Sequence, residues 1–460
     1  MGSGSVSNIA ENAHPAIMSG ILKILESLGA ELKVCILRGF DFDSERIGFD
    51  IDLLISVKHV LPAREIIENL ATELPLFIAV NKGSEEKFKV FIALVSGDTL
   101  VRGRRWALLD FQTALPPGLV VGNLEAASEY HCTQPTGFRG VTTLTKAFSS
   151  ALETVRKSQG VRANRPRFSG NCEMSKESQE FLIGESQDRI NHPLEQRHWL
   201  RWDRKTSSWK RSTLIAFSKI FFFLPLFRAR LYVVSGADGV GKSTVCELIG
   251  HHLSMLPIKM DQFHHSKYVK ERSNKHGKAT NKSNDRGWIY LALRSIWRLL
   301  VPASLKHFLL GLLNECKYVF HLNKRTTCQT LSNHVLLSDR YSFDRFIKAQ
   351  FSEKTTGQRL LFYIGDWMCN DPAHIFVLTD KPDLIYSRKQ ELTPEEIESY
   401  QIRLLALLGK RELTVDEIMV DGQSPSALAE RITRMILTSL GESLFALLST
   451  WESERREVDA

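Results

Sequence analysis

An α/β architecture, with a parallel sheet flanked by helices behind a smaller α+β domain, is what this sequence predicts, and three observations predict it. From Arg230 nearly to the end, short aliphatic runs alternate with helical patterns, the order that produces a parallel sheet covered on both faces. Before residue 150 the apolar period changes several times, which describes mixed helices and strands rather than one repeated element. Between the two, from about Lys157 to Lys210, the chain is polar and basic and has no steady apolar period. With 460 residues, 43% hydrophobic and 24% charged, there is enough chain for two or three domains, each with its own core.

Residues 1–14 read as a flexible N-terminus, without the basic start and apolar stretch of a secretory signal. A first domain is expected over 15–156. Ile17, Ile21, Leu25 and Leu28 keep helical spacing and stop at Gly29. Leu32–Leu37 and Asp52–Val57 then read as buried strands, and Pro62 opens a short helix through Leu74. LFIAV, KVFIALV and WALLDFQ supply further strands. Residues 157–218 form a polar linker. The phenylalanine-dense Lys219–Phe227, interrupted by Pro225, reads as core or inter-domain packing rather than a membrane contact.

A second domain is expected over 219–445, followed by a charged tail at 446–460. RLYVVSG is its first strand, Ser243 to Met255 a helix, and PIKMDQF a second strand. NHVLLSD, HIFVLTD and VDEIMVD supply three more. Pro382 at a first helical position and a capping box from Thr393 to Glu396 mark helices between them. The apolar segments at Trp288–Leu300 and Phe308–Phe320 read as core helices.

Seven cysteines, odd in number and never in a CxxC pair, suggest neither a disulfide framework nor a zinc site, and a reducing cytoplasm is the expected location. The longest apolar stretch without a charge, Ile220–Phe227, is too short to span a bilayer, so no integral span is expected. Net charge of +8 fits a polyanionic partner, whether nucleotide, nucleic acid or acidic membrane surface. Nucleic acid is the less favoured of these, and a homodimer stays open.

VVSGADGVGKST, Val233 to Thr244, satisfies GxxxxGK[ST] through Gly236, Gly241, Lys242 and Ser243, with a strand before it and a helix after. Glycines at these places, with Gly239 between them, let successive backbone amides converge on phosphate oxygens, and the helix points its positive end at them. Lys242 reaches the transferred group, while Ser243 offers a hydroxyl to magnesium. Thr244 completes the nucleotide-binding set.

GADGVGKST, with Asp238 inside the loop, resembles the thymidylate kinases and their nucleoside monophosphate kinase relatives. The resemblance implies that Asp238 contacts an acceptor sugar hydroxyl. VLLSDRY is similar to the family's DRY motif, which implies that Asp339 organises the Mg2+ shell and Arg340 holds acceptor or donor phosphate. Asp371–Gln390 resembles the family's late strand, proline-led helix and arginine-bearing lid. Because Gly239 stands where some relatives carry arginine, a mobile group must supply charge to the migrating phosphoryl, and Arg388, beside Lys389, is the candidate. The resemblance covers roughly Arg230 to Leu440 and breaks at Phe263–Gly287, where a basic run replaces the family's arginine-proline stretch. Thymidylate is therefore not assured as the acceptor. The run either folds over an acidic acceptor or is a solvated loop.

In the first domain, Asp50 and Asp52 bracket one residue of a strand and so share a face, and Asp110 in LLDFQ could complete a trio. Three converging carboxylates are what magnesium ions need to align a nucleotide α-phosphate with an attacking hydroxyl. LRGF, DIDLLI and LLDFQ together resemble the nucleotidyltransferase superfamily. Phe40 after Gly39 departs from the serine or glycine usual there, which alters the implied triphosphate grip.

The expected function is an ATP- and Mg2+-dependent phosphotransferase acting on a nucleotide or sugar-like acceptor. The saccharide option comes from a likeness to fused bacterial proteins found alongside surface polysaccharide synthesis. Two alternatives stand beside it: a nucleotidyltransferase with an ATP-sensing second domain, and a non-catalytic ATP-gated binding protein.

Overall fold

A computed structural model describes residues 13–41, 46–84, 87–95, 103–115, 123–129, 133–145, 148–149, 152, 229–263, 303–351, 355–411 and 413–458. The expected linker, Lys219–Phe227, Trp288–Leu300 and nearly all of the basic run lie outside them. The chain divides into two compact units, residues 1–206 together with 440–460, and residues 207–439.

The first unit opens with α1 (Pro15–Glu31), where His14 Nδ1 accepts the Ala16 N–H at 3.2 Å and proline takes the first turn. β1 (Val34–Asp41) and β2 (Arg46–Ile55) follow, then a short 3-10 turn at Val57–His59 and α2 (Val60–Glu73). The remaining elements are β3 (Phe77–Ser84), β4 (Lys87–Ala93), β5 (Trp106–Gln112), α3 (Leu124–Glu129), β6 (Thr133–Pro135) and β7 (Val141–Leu144). Seven strands form one mixed sheet in the order β3-β4-β5-β2-β1-β7-β6, with β2–β5 and β1–β7 parallel.

Strand alternation sends Val34, Ile36, Ile51, Leu53 and Ile55 into a core with Ile21, Leu25 and Ile67 of the two helices. The opposite face packs Cys35, Leu37 and Leu54 against Leu124, Leu144 and Phe148. By the same alternation Asp50 and Asp52 share the face of Leu54, away from α1 and α2.

The second unit holds β8 (Ala229–Gly236), α4 (Lys242–Ser254), β9 (Met260–Phe263), α5 (Ala303–Leu331) and β10 (Val335–Ser338). It continues through α6 (Ser342–Gln350), α7 (Thr356–Trp367), β11 (Pro372–Thr379), α8 (Pro382–Arg388), α9 (Pro394–Gly409), β12 (Val415–Met419) and α10 (Pro425–Leu440). Its five strands are parallel throughout, in the order β12-β11-β8-β10-β9. The expected capping box forms: Glu396 N–H donates to Thr393 Oγ1 and the Glu396 carboxylate accepts the Thr393 N–H at 2.9 Å.

β8 is central, so the chain leaves it toward β9 on one side and later passes from β11 to β12 on the other. The turns after β8, β10 and β11 gather at the carboxyl edge, where ligands bind in open parallel sheets. The segment 446–460, expected as a charged tail, is helical as far as Val458, within α11 (Glu442–Val458). Trp451 on α11 meets Trp106 of β5 edge-on, ring centroids 5.1 Å apart. Among the described residues no single helix is long and apolar enough to cross a membrane.

Candidate functional site

The turn between β8 and α4 depends on glycine. Gly236, Gly239 and Gly241 have φ of 143°, 98° and 101°, where residues with a Cβ are strained. A Cβ on Gly236 would also lie 2.3 Å from the Leu378 carbonyl oxygen of β11.

Lys242 opens α4 and turns back over the loop. Its Nζ donates to the Ala237 carbonyl at 2.5 Å and lies 3.4 Å from Asp238 Oδ1. The side chain is only 6% exposed, and burial pulls its pKa down from 10.5 to about 8. Ser243 Oγ is 3.5 Å from Asp339 Oδ2, and Thr244 is exposed beside it. Cys246 is buried, and desolvation raises its thiol, as suits a packing residue.

Asp238 is the hub. Besides Lys242, its carboxylate pairs with the Arg340 guanidinium and with Lys348 Nζ. Arg340 follows β10 with φ of 130°, an unfavourable value for a residue with a side chain. Ser338 Oγ donates to the Arg340 carbonyl at 2.6 Å and holds that turn. Next to it, Tyr341 Oη donates to the Asn370 carbonyl at 2.6 Å.

Lys348 lies on α6 one turn after Asp344, and Asp344 pins that helix to the base of the loop. Its carboxylate accepts from Ser235 Oγ at 2.7 Å, from Tyr400 Oη at 2.7 Å and from the Tyr341 N–H at 2.9 Å. Burial, with Arg340 reinforcing it, lowers Lys348 to about 8 as well. The sequence reading missed Asp344 and Lys348. Their signal is a charged pair at i,i+4 directly behind DRY.

Arg388, the residue expected on a lid, closes α8. Its Nη1 is paired at 3.1 Å with Asp380, whose side chain is 0% exposed. Lys389 is the basic residue whose backbone runs beside the loop: a Cβ on Gly239 would lie 3.0 Å from Lys389 Cβ. The Lys389 ammonium itself pairs with Glu391 at 3.1 Å.

In the first unit Asp50, Asp52 and Asp110 lie on one face of the paired strands β2 and β5. Asp52 stands opposite Asp110 in the parallel pairing of β2 and β5. Burial raises the Asp110 carboxyl; Lys89 opposes the shift, and Asp52 and Asp50 add to it. Arg38 pairs with Asp52, and Lys89 Nζ lies 3.7 Å from Asp110. Gly39 makes this arrangement fit, since its φ is 87° and a Cβ there would lie 2.0 Å from the Asp50 carbonyl oxygen.

No family model matches this chain, and no curated protein matches it significantly. The donors themselves are hard oxygens, a hydroxyl and a carboxylate in Ser243 and Asp339, of the kind magnesium accepts. Among the described residues no group of three or more His, Cys, Asp or Glu is arranged to hold a metal ion.

Proposed function

We propose that the second unit is a thymidylate-kinase-like phosphotransferase that moves the γ-phosphoryl of ATP to a nucleotide or sugar-like acceptor. The observation that carries this reading is Lys242 lying back across a loop of left-handed glycines at the carboxyl end of the central parallel strand. The reducing cytoplasm remains the expected setting.

Loop amides and the α4 N-terminus bind the phosphate chain. Lys242 Nζ exchanges the Ala237 carbonyl for a phosphate oxygen, and the buried setting strengthens that contact. Arg340, fixed by its turn, presents its guanidinium to the acceptor side of the loop. Asp238, between these cations, orients an acceptor hydroxyl in this reading. Ser243 and Asp339 would hold magnesium, which would supply neutralising charge to the phosphate oxygens. Arg388 stays a candidate for the transferred charge only if it leaves Asp380.

Acceptor-stimulated ADP release, screened over nucleoside monophosphates, sugars and lipid-linked saccharides, tests the reading. Release that depends on one acceptor and falls at least about 10²-fold in Lys242→Ala supports it. Hydrolysis indifferent to every acceptor counts against it, and tight ATP binding without turnover points to an ATP-gated binding protein.

A second reading is favoured by one observation, the placement of Asp50, Asp52 and Asp110 on one face of the first sheet. It makes the first unit a nucleotidyltransferase. Incorporation of labelled α-phosphate that is lost in Asp50→Ala and Asp52→Ala but kept in Lys242→Ala would select it.

A further inference from the structure

We infer that Lys348 is the mobile cation that meets the γ-phosphoryl of ATP in the second unit, an inference that rests on the nucleotide-site reading above. The loop supplies no side chain at Gly239, and Arg340 is taken up on the acceptor side in the reading above, which leaves three basic residues on neighbouring elements to compare: Lys348, Arg388 and Lys389.

The comparison turns on what each leaves behind. Arg388 is bound to Asp380, whose side chain is wholly buried and whose Oδ1 accepts the Lys381 N–H at 2.9 Å. Withdrawing Arg388 removes the cation facing a desolvated carboxylate, a heavy penalty in a low-dielectric setting. Lys389 pairs with Glu391 in solvent, each more than two-fifths exposed, and its ammonium is directed to that partner. Lys348 differs from both. Its partner Asp238 is already held by Lys242 and Arg340, so when Lys348 departs the carboxylate keeps two cations.

Lys348 also has the reach and the mounting for the task. Its side chain is half-buried and its ammonium rests on Asp238 at the edge of the loop, within the set of charges that surround Lys242. Its helix is fixed to the base of the phosphate loop by the bonds from Ser235, Tyr400 and the Tyr341 amide to Asp344, so its Cα holds position while its tip moves. Asp238 then serves as a parking anion. It keeps Lys348 beside the loop until a phosphoryl group with more charge takes it over.

The test is calorimetric titration of the full chain with magnesium-ATP and magnesium-ADP. The wild type is expected to prefer ATP by about tenfold, the worth of one charge-assisted hydrogen bond. Lys348→Ala is expected to remove most of that preference while leaving ADP affinity within about twofold, and Lys348→Arg to restore it. Lys381→Ala, an exposed control, leaves both affinities unchanged. Lys348→Ala that keeps the preference, a wild type with no preference, or Arg388→Ala that removes it while Lys348→Ala does not, would each overturn the inference and leave the nucleotide site standing. A wild type that binds neither nucleotide overturns both.

Discussion

Burial holds Lys242 near a pKa of about 8 against 10.5 for the free side chain, and the direction of that shift fixes two opposite pH responses. Between those values the unfolded chain binds the proton that the folded chain gives up, so this group's contribution to stability rises with pH across that window. Binding of a phosphate chain runs the other way, because the anion favours the protonated ammonium. ATP affinity is therefore expected to fall as pH rises from about 7 to about 9.5, through the value of about 8 that Lys242 shares with Lys348. Titration at stepped pH measures this, and a flat profile would contradict the assignment of Lys242 to phosphate. Arg340 allows a second test at the same scale. Glycine normally costs stability relative to alanine, but at φ of 130° the order should reverse, with Arg340→Gly more stable than Arg340→Ala by about 1 kcal/mol in urea unfolding.

At the scale of elements, the close approach of β1 to its antiparallel neighbour β2 depends on Gly39. Gly39→Ala forces a Cβ into the Asp50 carbonyl and an unfavourable φ, and is expected to cost about 2 kcal/mol or more in the first unit's unfolding, read from its denaturation midpoint. An unchanged midpoint would mean that the register shifts in β1 are not held there. The long elements were legible in the sequence because strand runs and helical spacing are local properties. The loop was legible because its glycines and lysine act within a few residues of one another. β6 and β7 escaped because TQP and VTTL are short and largely polar, without the aliphatic run that marks the equally short β10. Lys348 and Asp344 escaped for another reason: their importance comes from α6 docking against the loop, a long-range fact. The Arg388 charge was visible, but its attachment to a buried Asp380 was not.

Across the whole molecule, the chain returns to its first unit after completing the second. α11 brings Trp451 against Trp106, so Trp451→Ala should destabilise the first unit by about 2 kcal/mol. Scanning calorimetry with and without ATP separates the units, since ligand raises only the transition of the unit that binds it. Loss confined to the ATP-insensitive transition is the expected result; loss in the other would place the contribution of α11 elsewhere.

That return sets an order of events during synthesis. A ribosome releases residues 207–439 before the last stretch belonging to the first unit, so the second unit has all its residues in hand sooner. The part begun first is thus completed after the second, and until α11 emerges the edge-on contact of Trp451 with Trp106 cannot form.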